Sequence, residues 1–181
     1  MRTYHSDLSW NFIVSSPTCQ SGDFRNSVIF LIEDTPEKSL GVIINRPLDK
    51  EISDFTELNF DSEVGQVEVF DGGPVGINEL KLASFVLNDT EVGSFQYGLP
   101  PNRLESIIKS PYVVKPMAFL GYVCWDYKQF RDEINNGYWF LSNVDMNIIF
   151  ETNPEDLWRE LLIREFPAIA DINQNNNLKS N

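Results

Sequence analysis

Two runs of almost uninterrupted β-branched and aromatic residues lie close together in the chain and constrain its fold more than any other feature. They span 27–33 (SVIFLIE) and 40–45 (LGVIIN). Such runs are typical of strands that are covered on both faces. The segment between them contains Pro36 and three charged side chains, which is turn chemistry at hairpin length. We therefore expect these two strands to pair antiparallel inside a packed domain.

Further strands are predicted where apolar residues alternate or run together between turn signals. These predicted strands cover 12–14, 67–70, 80–87, 117–124 and 138–144. The strands come mostly in runs, with helices inserted between them. That order favours a mixed or largely antiparallel α+β domain over a doubly wound parallel sheet.

Two helices have clear boundary signals in the sequence. Asp126 is predicted to cap the start of one helix, and Gly137 supplies the left-handed residue that ends it. Asn153 and Pro154 open the last helix, with proline at its first position. A third, shorter helix is predicted over 103–109.

Proline is expected to stop the second of the two apolar strands. Pro47 lacks the amide that a strand ladder needs, and it biases the preceding residue toward extended geometry. A loop and a short helix are predicted to follow. Ser53 is the predicted cap of that helix, with Phe55 and Leu58 facing inward.

The length of 181 residues is that of one domain. Residues 1–10 are polar and are interpreted as a flexible lead-in. Residues 11–170 form the predicted domain. The polar tail 171–181, which contains NQNNN, is predicted to be disordered.

The charge balance narrows the range of partners. The net charge is −13, and the 14 basic residues are scattered among 27 acidic ones. Direct binding to nucleic acid or to an anionic membrane surface is therefore disfavoured. The chain contains no apolar run long enough for a signal peptide or a membrane span, so a cytoplasmic location is expected. Cys19 and Cys124 are far apart in sequence, which predicts two free thiols.

Several common chemistries lack the residues they need. His5 is the only histidine and lies in the lead-in, which disfavours catalysis by a Ser-His-Asp or Cys-His arrangement. Neither a zinc-ligand pattern nor a glycine-rich phosphate loop occurs. Acidic pairs such as Asp132-Glu133 are typical of a solvated face rather than a cation site. We predict no catalytic residues, no metal site and no cofactor.

Three loop segments follow predicted strands and are the candidates for a site. Their sequences are NRPL (45–48), DGGPV (71–75) and GYVCW (121–125). The candidate site residues are Asn45, Arg46, Gly72, Gly73, Pro74, Tyr122 and Trp125. In a structural interpretation the glycines serve turns and the tryptophans fill the core. In a functional interpretation the glycine amides and the guanidinium of Arg46 converge on one groove that binds an anionic small molecule or a peptide carboxylate.

The same three segments, together with several other short motifs in a fixed order, resemble the YqgE/AlgH family of bacterial proteins. The additional motifs are Ser16-Pro17, Phe24-x-x-Ser27-Val28, Gly137-x-Trp139 and Trp158. The resemblance covers about residues 12–166. It implies an α+β fold built on a bent, bifurcated, mostly antiparallel sheet that forms a pseudo-barrel with helices packed outside. Cys124 and Lys128 depart from the family pattern, which has glycine at both positions.

The family has no established enzymatic activity, and one member was proposed as a transcriptional regulator. Two hypotheses follow for this chain. The first is a non-enzymatic regulatory or interaction module with a groove near Arg46, Gly72-Gly73 and Trp125, which binds an unknown protein or an anionic small molecule. The second is an enzyme acting on a phosphorylated or carboxylated small molecule, with Arg46 as the anion clamp. A general base within reach of a ligand bound to Arg46 would favour the second hypothesis.

Overall fold

Residues 7–19, 22–55, 62–87, 93–142 and 144–167 are described by the computed structural model of the chain. The strands within these residues are β1 (Phe12–Ser15), β2 (Val28–Asp34), β3 (Lys38–Ile43), β4 (Pro47–Glu51), β5 (Glu68–Asp71), β6 (Val75–Leu87), β7 (Ser94–Leu99), β8 (Val113–Asp126) and β9 (Trp139–Ser142). The helices are α1 (Ser62–Gly65), α2 (Pro101–Ile108), α3 (Tyr127–Asn135), α4 (Ile148–Glu151) and α5 (Pro154–Glu165). Two 3₁₀ turns cover Gly22–Phe24 and Ile52–Asp54.

The long strand β8 organises the sheet. Its first half pairs antiparallel with β6 on one side and parallel with β5 on the other. Its second half pairs antiparallel with β3, with Trp125 opposite Ser39. From β3 the sheet continues through β2 and β1 to β9, while β4 extends it beyond β5 and β7 extends it beyond β6. The sheet therefore branches at β8.

The two branches of the sheet enclose a core that is rich in phenylalanine. The ring of Phe30 in β2 lies 5.0 Å from the rings of both Phe85 in β6 and Phe95 in β7, measured between centroids. Phe119 of β8 belongs to the same cluster. Helices α4 and α5 add Ile148, Ile149, Leu157 and Leu161 to it. This arrangement confirms the expected mostly antiparallel, bifurcated α+β fold.

Two smaller clusters lie between the sheet and the remaining helices. Phe130 of α3 stacks on Trp125 at 4.8 Å between ring centroids. Val64 of α1 and Leu104 of α2 pack against Val69 of β5. The helices therefore cover the outside of the sheet, as the family resemblance implies.

The best-marked elements in the sequence form as predicted. The strands β2 and β3 are an antiparallel hairpin. The carboxylate of Asp126 accepts the backbone amide of Gln129 at 2.8 Å at the start of α3. Gly137 has a φ of 73° just beyond the end of that helix. Helix α5 begins at Pro154, directly after Asn153.

The helix predicted to begin at Ser53 is instead a single 3₁₀ turn. The residue that precedes the turn is Glu51, whose backbone amide donates to the carboxylate of Asp54 at 2.9 Å. Phe55 is 36% exposed rather than facing inward. The prediction for these residues was wrong because the carboxylate three positions ahead, not the serine hydroxyl, satisfies the free amide. Leu58 lies outside the described residues.

Part of the predicted N-terminal lead-in is bonded to the sheet. The backbone amide of Leu8 donates to the carboxylate of Asp34 at 2.9 Å, and that of Trp10 donates to the carbonyl of Leu31 at 2.7 Å. Residues 1–6 and the predicted tail 171–181 lie outside the described residues. None of the described helices is long and apolar enough to cross a membrane.

Candidate functional site

The turn after β5 crosses β8 at very close range. A side-chain carbon at Gly72 would lie 2.3 Å from the carbonyl oxygen of Gly121, and one at Gly121 would lie 2.1 Å from the carbonyl oxygen of Gly73. The amide of Gly72 donates to the carbonyl of Leu120 at 2.8 Å, and the amide of Gly73 donates to Asp71 at 3.2 Å. Both glycine amides are therefore used inside the fold, in contrast to their predicted role in anion binding.

Asn45 and Arg46 connect the segment after β3 to the start of β2. The side-chain oxygen of Asn45 accepts the first backbone amide of β2 at 2.7 Å. The guanidinium of Arg46 donates to the hydroxyl of Ser27 at 2.7 Å and to the carbonyl of Arg25 at 3.3 Å. It also lies 3.6 Å from the carboxylate of Asp71. Each of these contacts stabilises the fold.

A shallow hollow of about 130 Å³ surrounds the guanidinium of Arg46. Its lining is Asp23, Arg46, Asp71, Gly73, Pro74 and Ile77. Three of the predicted site residues therefore come together here, while Gly72 is buried behind them. Because Asp23 and Asp71 place two carboxylates beside the one guanidinium, the hollow is electrostatically unfavourable for an anion.

Tyr122 and Trp125 do not line this hollow, and their side chains point to opposite faces of β8. Side chains alternate between the two faces of a strand, so residues three positions apart lie on opposite sides. Tyr122 packs against the central core. Trp125 is 3% exposed and lies in the cluster beneath α3. The hollow around Arg46 therefore includes neither of the two aromatic side chains of the groove expected from the sequence.

A larger cavity of about 550 Å³ opens on the Trp125 side of the sheet, and we call it the aromatic cavity. Its lining is Thr18, Cys19, Phe24, Gln129, Glu133, Tyr138 and Trp139. The ring of Phe24 meets that of Trp139 edge to face at 5.4 Å, measured between centroids. Trp139 is almost fully buried and Tyr138 is half exposed, so the cavity has an aromatic floor and an open rim.

The carboxylate of Glu133 in α3 holds the indoles beside the aromatic cavity. Its Oε2 accepts the indole N–H of Trp125 at 3.0 Å and that of Trp139 at 2.6 Å. Its Oε1 accepts the side-chain amide of Gln129 at 2.8 Å. Within the described part of the chain, no lysine or arginine nitrogen lies within 4.0 Å of this carboxylate. Three neutral donors therefore hold an acidic group at the cavity.

Comparison with known proteins identifies the family. The sequence matches the AlgH-like family over residues 12–167. The chain belongs to this family. Similar bacterial proteins include a UPF0301 protein from Streptomyces avermitilis, which is 28% identical over 179 residues that cover 91% of this chain and 90% of the relative. A UPF0301 protein from Thioalkalivibrio sulfidiphilus is 25% identical over 175 residues, which cover 90% of this chain and 91% of the relative.

Two solved structures have the same fold as this AlgH-like chain. The AlgH protein from Pseudomonas aeruginosa superimposes with a TM-score of 0.68 at 19% identity, covering 92% of this chain and 93% of that protein. The protein DIP2367 from Corynebacterium diphtheriae superimposes with a TM-score of 0.67 at 18% identity, covering 91% of this chain and 90% of that protein. These similarities support the fold that the family resemblance implied.

Sequence reasoning on this AlgH-like chain did not find the aromatic cavity. Asp132-Glu133 was expected to lie on a solvated face, which holds for the exposed Asp132 but not for the partly buried Glu133. Two signals pointed toward the cavity. Phe24 and Trp139 both belong to the motifs that carry the family resemblance, and Gln129 precedes Glu133 by one helical turn.

The two cysteines are free thiols, as predicted. Cys19 is buried in the wall of the aromatic cavity, whereas Cys124 is exposed on β8. Cys124 and Lys128, the departures from the family pattern, line neither the aromatic cavity nor the hollow around Arg46. Among the described residues, no group of three His, Cys, Asp or Glu side chains is placed to hold a metal ion.

Proposed function

We propose that this AlgH-like protein is a non-enzymatic interaction module that binds a partner protein through the aromatic cavity. The observation that supports this function is the cavity itself, which has a volume of about 550 Å³ and is walled by Phe24, Tyr138 and Trp139. Ligand-binding pockets typically span about 300–1,000 Å³ and are lined mainly by apolar and aromatic side chains. Tyrosine and tryptophan are also the side chains that contribute most to protein interfaces.

The alternative function, an enzyme that clamps an anionic substrate with Arg46, has weaker support. The guanidinium of Arg46 already donates to Ser27 and Arg25, and the hollow around it includes the carboxylates of Asp23 and Asp71. An anionic substrate would have to approach both carboxylates. The lining of the aromatic cavity does not include Asp23 or Asp71, so a protein partner there does not meet these two carboxylates.

The proposal includes a cytoplasmic location and a regulatory role exerted through the partner. Free thiols at Cys19 and Cys124 are compatible with a reducing compartment. The net charge of −13 opposes contact with phosphate backbones and anionic lipids, so a protein surface is the favoured partner.

A matched pair of tyrosine substitutions tests the role of the aromatic cavity. Tyr138 at the cavity rim is 49% exposed, and Tyr112, which does not line the cavity, is 50% exposed. Immobilised wild-type protein should capture a specific partner from lysate of the source bacterium. Tyr138→Ala should abolish that capture, and Tyr112→Ala should retain it, because only the first substitution removes a cavity wall.

Both tyrosine variants should keep the wild-type thermal midpoint, since each replaces an exposed side chain. The proposal is wrong if Tyr138→Ala captures the partner as well as wild type does. It is also wrong if the two variants lose the partner equally, because the binding surface would then lie elsewhere.

A further inference from the structure

The chemistry of the aromatic cavity indicates which group of a partner it binds, an inference that rests on the proposed function. We propose that the cavity receives the guanidinium of an arginine side chain, presented by a basic segment of the partner protein. Three features support this assignment. They are the unused acceptor position of Glu133, the aromatic rings around it, and the strongly acidic charge of the whole molecule.

The carboxylate of Glu133 has room for one more hydrogen bond. An ionised carboxylate offers about four acceptor positions on its two oxygens. Trp125 and Trp139 occupy two of them on Oε2, and Gln129 occupies one on Oε1. The remaining position is on Oε1, in a side chain that lines the cavity. A guanidinium donates strongly to such an oxygen, because both partners are charged.

The aromatic rings favour a flat cation over any other charged group. A cation within about 6 Å of the face of a tryptophan, tyrosine or phenylalanine ring is attracted by the ring electrons. Phe24, Tyr138 and Trp139 supply one ring of each type. The guanidinium of arginine stacks on such rings and donates to a carboxylate at the same time, which the compact ammonium of lysine does less well.

The protein already uses this arrangement inside its own fold. The guanidinium of Arg131 in α3 lies 4.8 Å from the ring centroid of Tyr127 and 5.4 Å from that of Phe130. It also donates to the carboxylate of Asp34 at 2.6 Å. Arg131 lies on the same helix as Glu133, and its guanidinium contacts both aromatic rings and a carboxylate. The aromatic cavity offers the same two elements to an arginine from outside.

Charge and volume favour an arginine within a protein segment. The net charge of −13 attracts a basic partner at long range and accelerates its encounter with the cavity. The cavity volume of about 550 Å³ lies in the range of pockets that enclose a drug-sized ligand. It therefore has room for the arginine side chain together with adjoining peptide backbone.

Two peptides that differ only in charge test the inference. The probes are acetyl-Gly-Gly-Arg-Gly-Gly-amide and the same peptide with neutral citrulline in place of arginine. The chain has four tryptophans, so the full-length protein gives four resolvable indole N–H signals in a ¹H–¹⁵N NMR spectrum. The arginine peptide should shift the signals of Trp125 and Trp139 saturably and leave that of Trp10 in place. The citrulline peptide should bind at least about tenfold more weakly.

Substitution of the carboxylate gives the second arm of the test. Glu133→Gln keeps an oxygen that can accept the two indoles, and it should weaken binding of the arginine peptide by about tenfold or more. Glu63→Gln removes one negative charge from an exposed position in α1 and should leave the affinity unchanged. Tyr138→Ala alters only the rim of the cavity and should also weaken binding of the arginine peptide. Because this exposed substitution should leave the fold intact, it still tests the cavity if Glu133→Gln fails to fold.

The outcomes separate this inference from the proposed function. Equal binding of the arginine and citrulline peptides at the aromatic cavity would overturn the cation assignment and leave the cavity as an interaction site. An arginine peptide that causes no shift at Trp139, or one whose affinity is the same for Glu133→Gln and wild type, would also overturn it. Loss of the interaction site itself is decided separately, by partner capture with Tyr138→Ala and Tyr112→Ala.

Discussion

The guanidinium of Arg46 joins parts of the chain that are far apart in sequence. It donates to the hydroxyl of Ser27 and to the carbonyl of Arg25, and it lies close to the carboxylate of Asp71. Ser27 is fully buried, so its hydroxyl depends on partners within the protein. The carboxylate of Asp71 is 43% exposed, and solvent weakens its attraction to the guanidinium. The hydrogen bonds therefore dominate the contribution of Arg46.

Arg46→Ala is expected to lower the free energy of unfolding by about 1–2 kcal/mol, because it leaves a buried hydroxyl and a carbonyl without their donor. Urea denaturation at neutral pH measures this change. Arg103→Ala in the exposed part of α2 is the matched control and should change stability by less than about 0.5 kcal/mol. Equal stability of the two variants would show that Arg46 does not hold the fold.

Asp34 is a second residue whose charge contributes directly to the fold. Its side chain is fully buried and accepts hydrogen bonds from Arg131 at 2.6 Å, from the hydroxyl of Ser39 at 2.6 Å and from the amide of Leu8 at 2.9 Å. Burial alone raises the pKa of Asp34, but these hydrogen bonds and the charge of Arg131 outweigh it, so the pKa lies below its ordinary value. The ionised form is therefore the one that stabilises the protein.

A carboxyl whose pKa is lower in the folded than in the unfolded state stabilises the fold above its unfolded pKa of about 4. That stability is lost as the pH falls through the folded pKa. Asp34→Asn should destabilise the protein by about 3 kcal/mol at pH 7, because it removes the buried charge that accepts hydrogen bonds from Arg131, Ser39 and Leu8. It should also reduce the fall in stability between about pH 5 and pH 2.

Denaturation curves across this pH range measure both effects of Asp34→Asn. The exposed neighbour of Glu133 on α3 provides the control, since Asp132→Asn makes the same chemical change at the surface. A wild-type pH profile in the Asp34→Asn variant would contradict the role of the buried carboxylate.

At the scale of elements, the turn between β5 and β6 crosses β8 at a point where only glycine fits. Among the described glycines, this crossing leaves the least space for a side-chain carbon. Gly121→Ala should cost more than about 3 kcal/mol or prevent folding, because the new carbon would lie 2.1 Å from the carbonyl oxygen of Gly73. Gly98 has a similar φ of +73°, against +76° for Gly121, but no atom lies within 4 Å of the corresponding position. Gly98→Ala should therefore cost only about 1 kcal/mol, from backbone strain.

Chemical denaturation of the two glycine variants separates steric overlap from backbone strain. The difference between their losses of stability isolates the overlap at the crossing. If Gly121→Ala folds and is no less stable than Gly98→Ala, the two chain segments do not cross as closely as described.

The elements that the sequence predicts well are those with strong local signals. The hairpin of β2 and β3 follows from two continuous apolar runs, and α3 follows from the cap at Asp126 and the end at Gly137.

Strand β4 was not predicted, since its sequence PLDKE is mostly exposed and starts with proline. Strand β7 was not predicted because Gly98 and the prolines after it are turn residues, which masked the alternation of Phe95 and Tyr97. Short α4 was not predicted either, and the side chain of its N-cap residue, Asn147, makes no hydrogen bond to the helix.

The candidate site could be predicted only in part, because its residues are far apart in the sequence. Arg46, Gly73 and Pro74 do share a hollow, as strand ends often do. The wall of the aromatic cavity combines Phe24 with Trp139, which are more than 100 residues apart in the chain. Their meeting depends on the pairing of β1 with β9, and no local pattern reports such a pairing.

At the scale of the whole molecule, charge sets the interaction with nucleic acids. A net charge of −13 opposes the release of counterions that drives non-specific binding to DNA. We therefore expect no mobility shift of random duplex DNA at about 10 µM protein and about 0.15 M salt. A basic DNA-binding protein serves as the positive control. Micromolar binding that weakens as salt is added would reverse the expectation and favour a role on nucleic acid.

The position of β8 in the chain sets the earliest moment at which the two branches of the sheet can join during protein synthesis. Strands β3, β5 and β6 all pair with β8, which occupies Val113–Asp126. Ribosomes add about 5–20 residues per second, so β3 waits for several seconds before its partner strand has been made. Throughout that interval, each nascent chain carries apolar strands with an unpaired edge. Chaperones that shield such edges are therefore expected to bind the nascent chain before residue 126 leaves the ribosome.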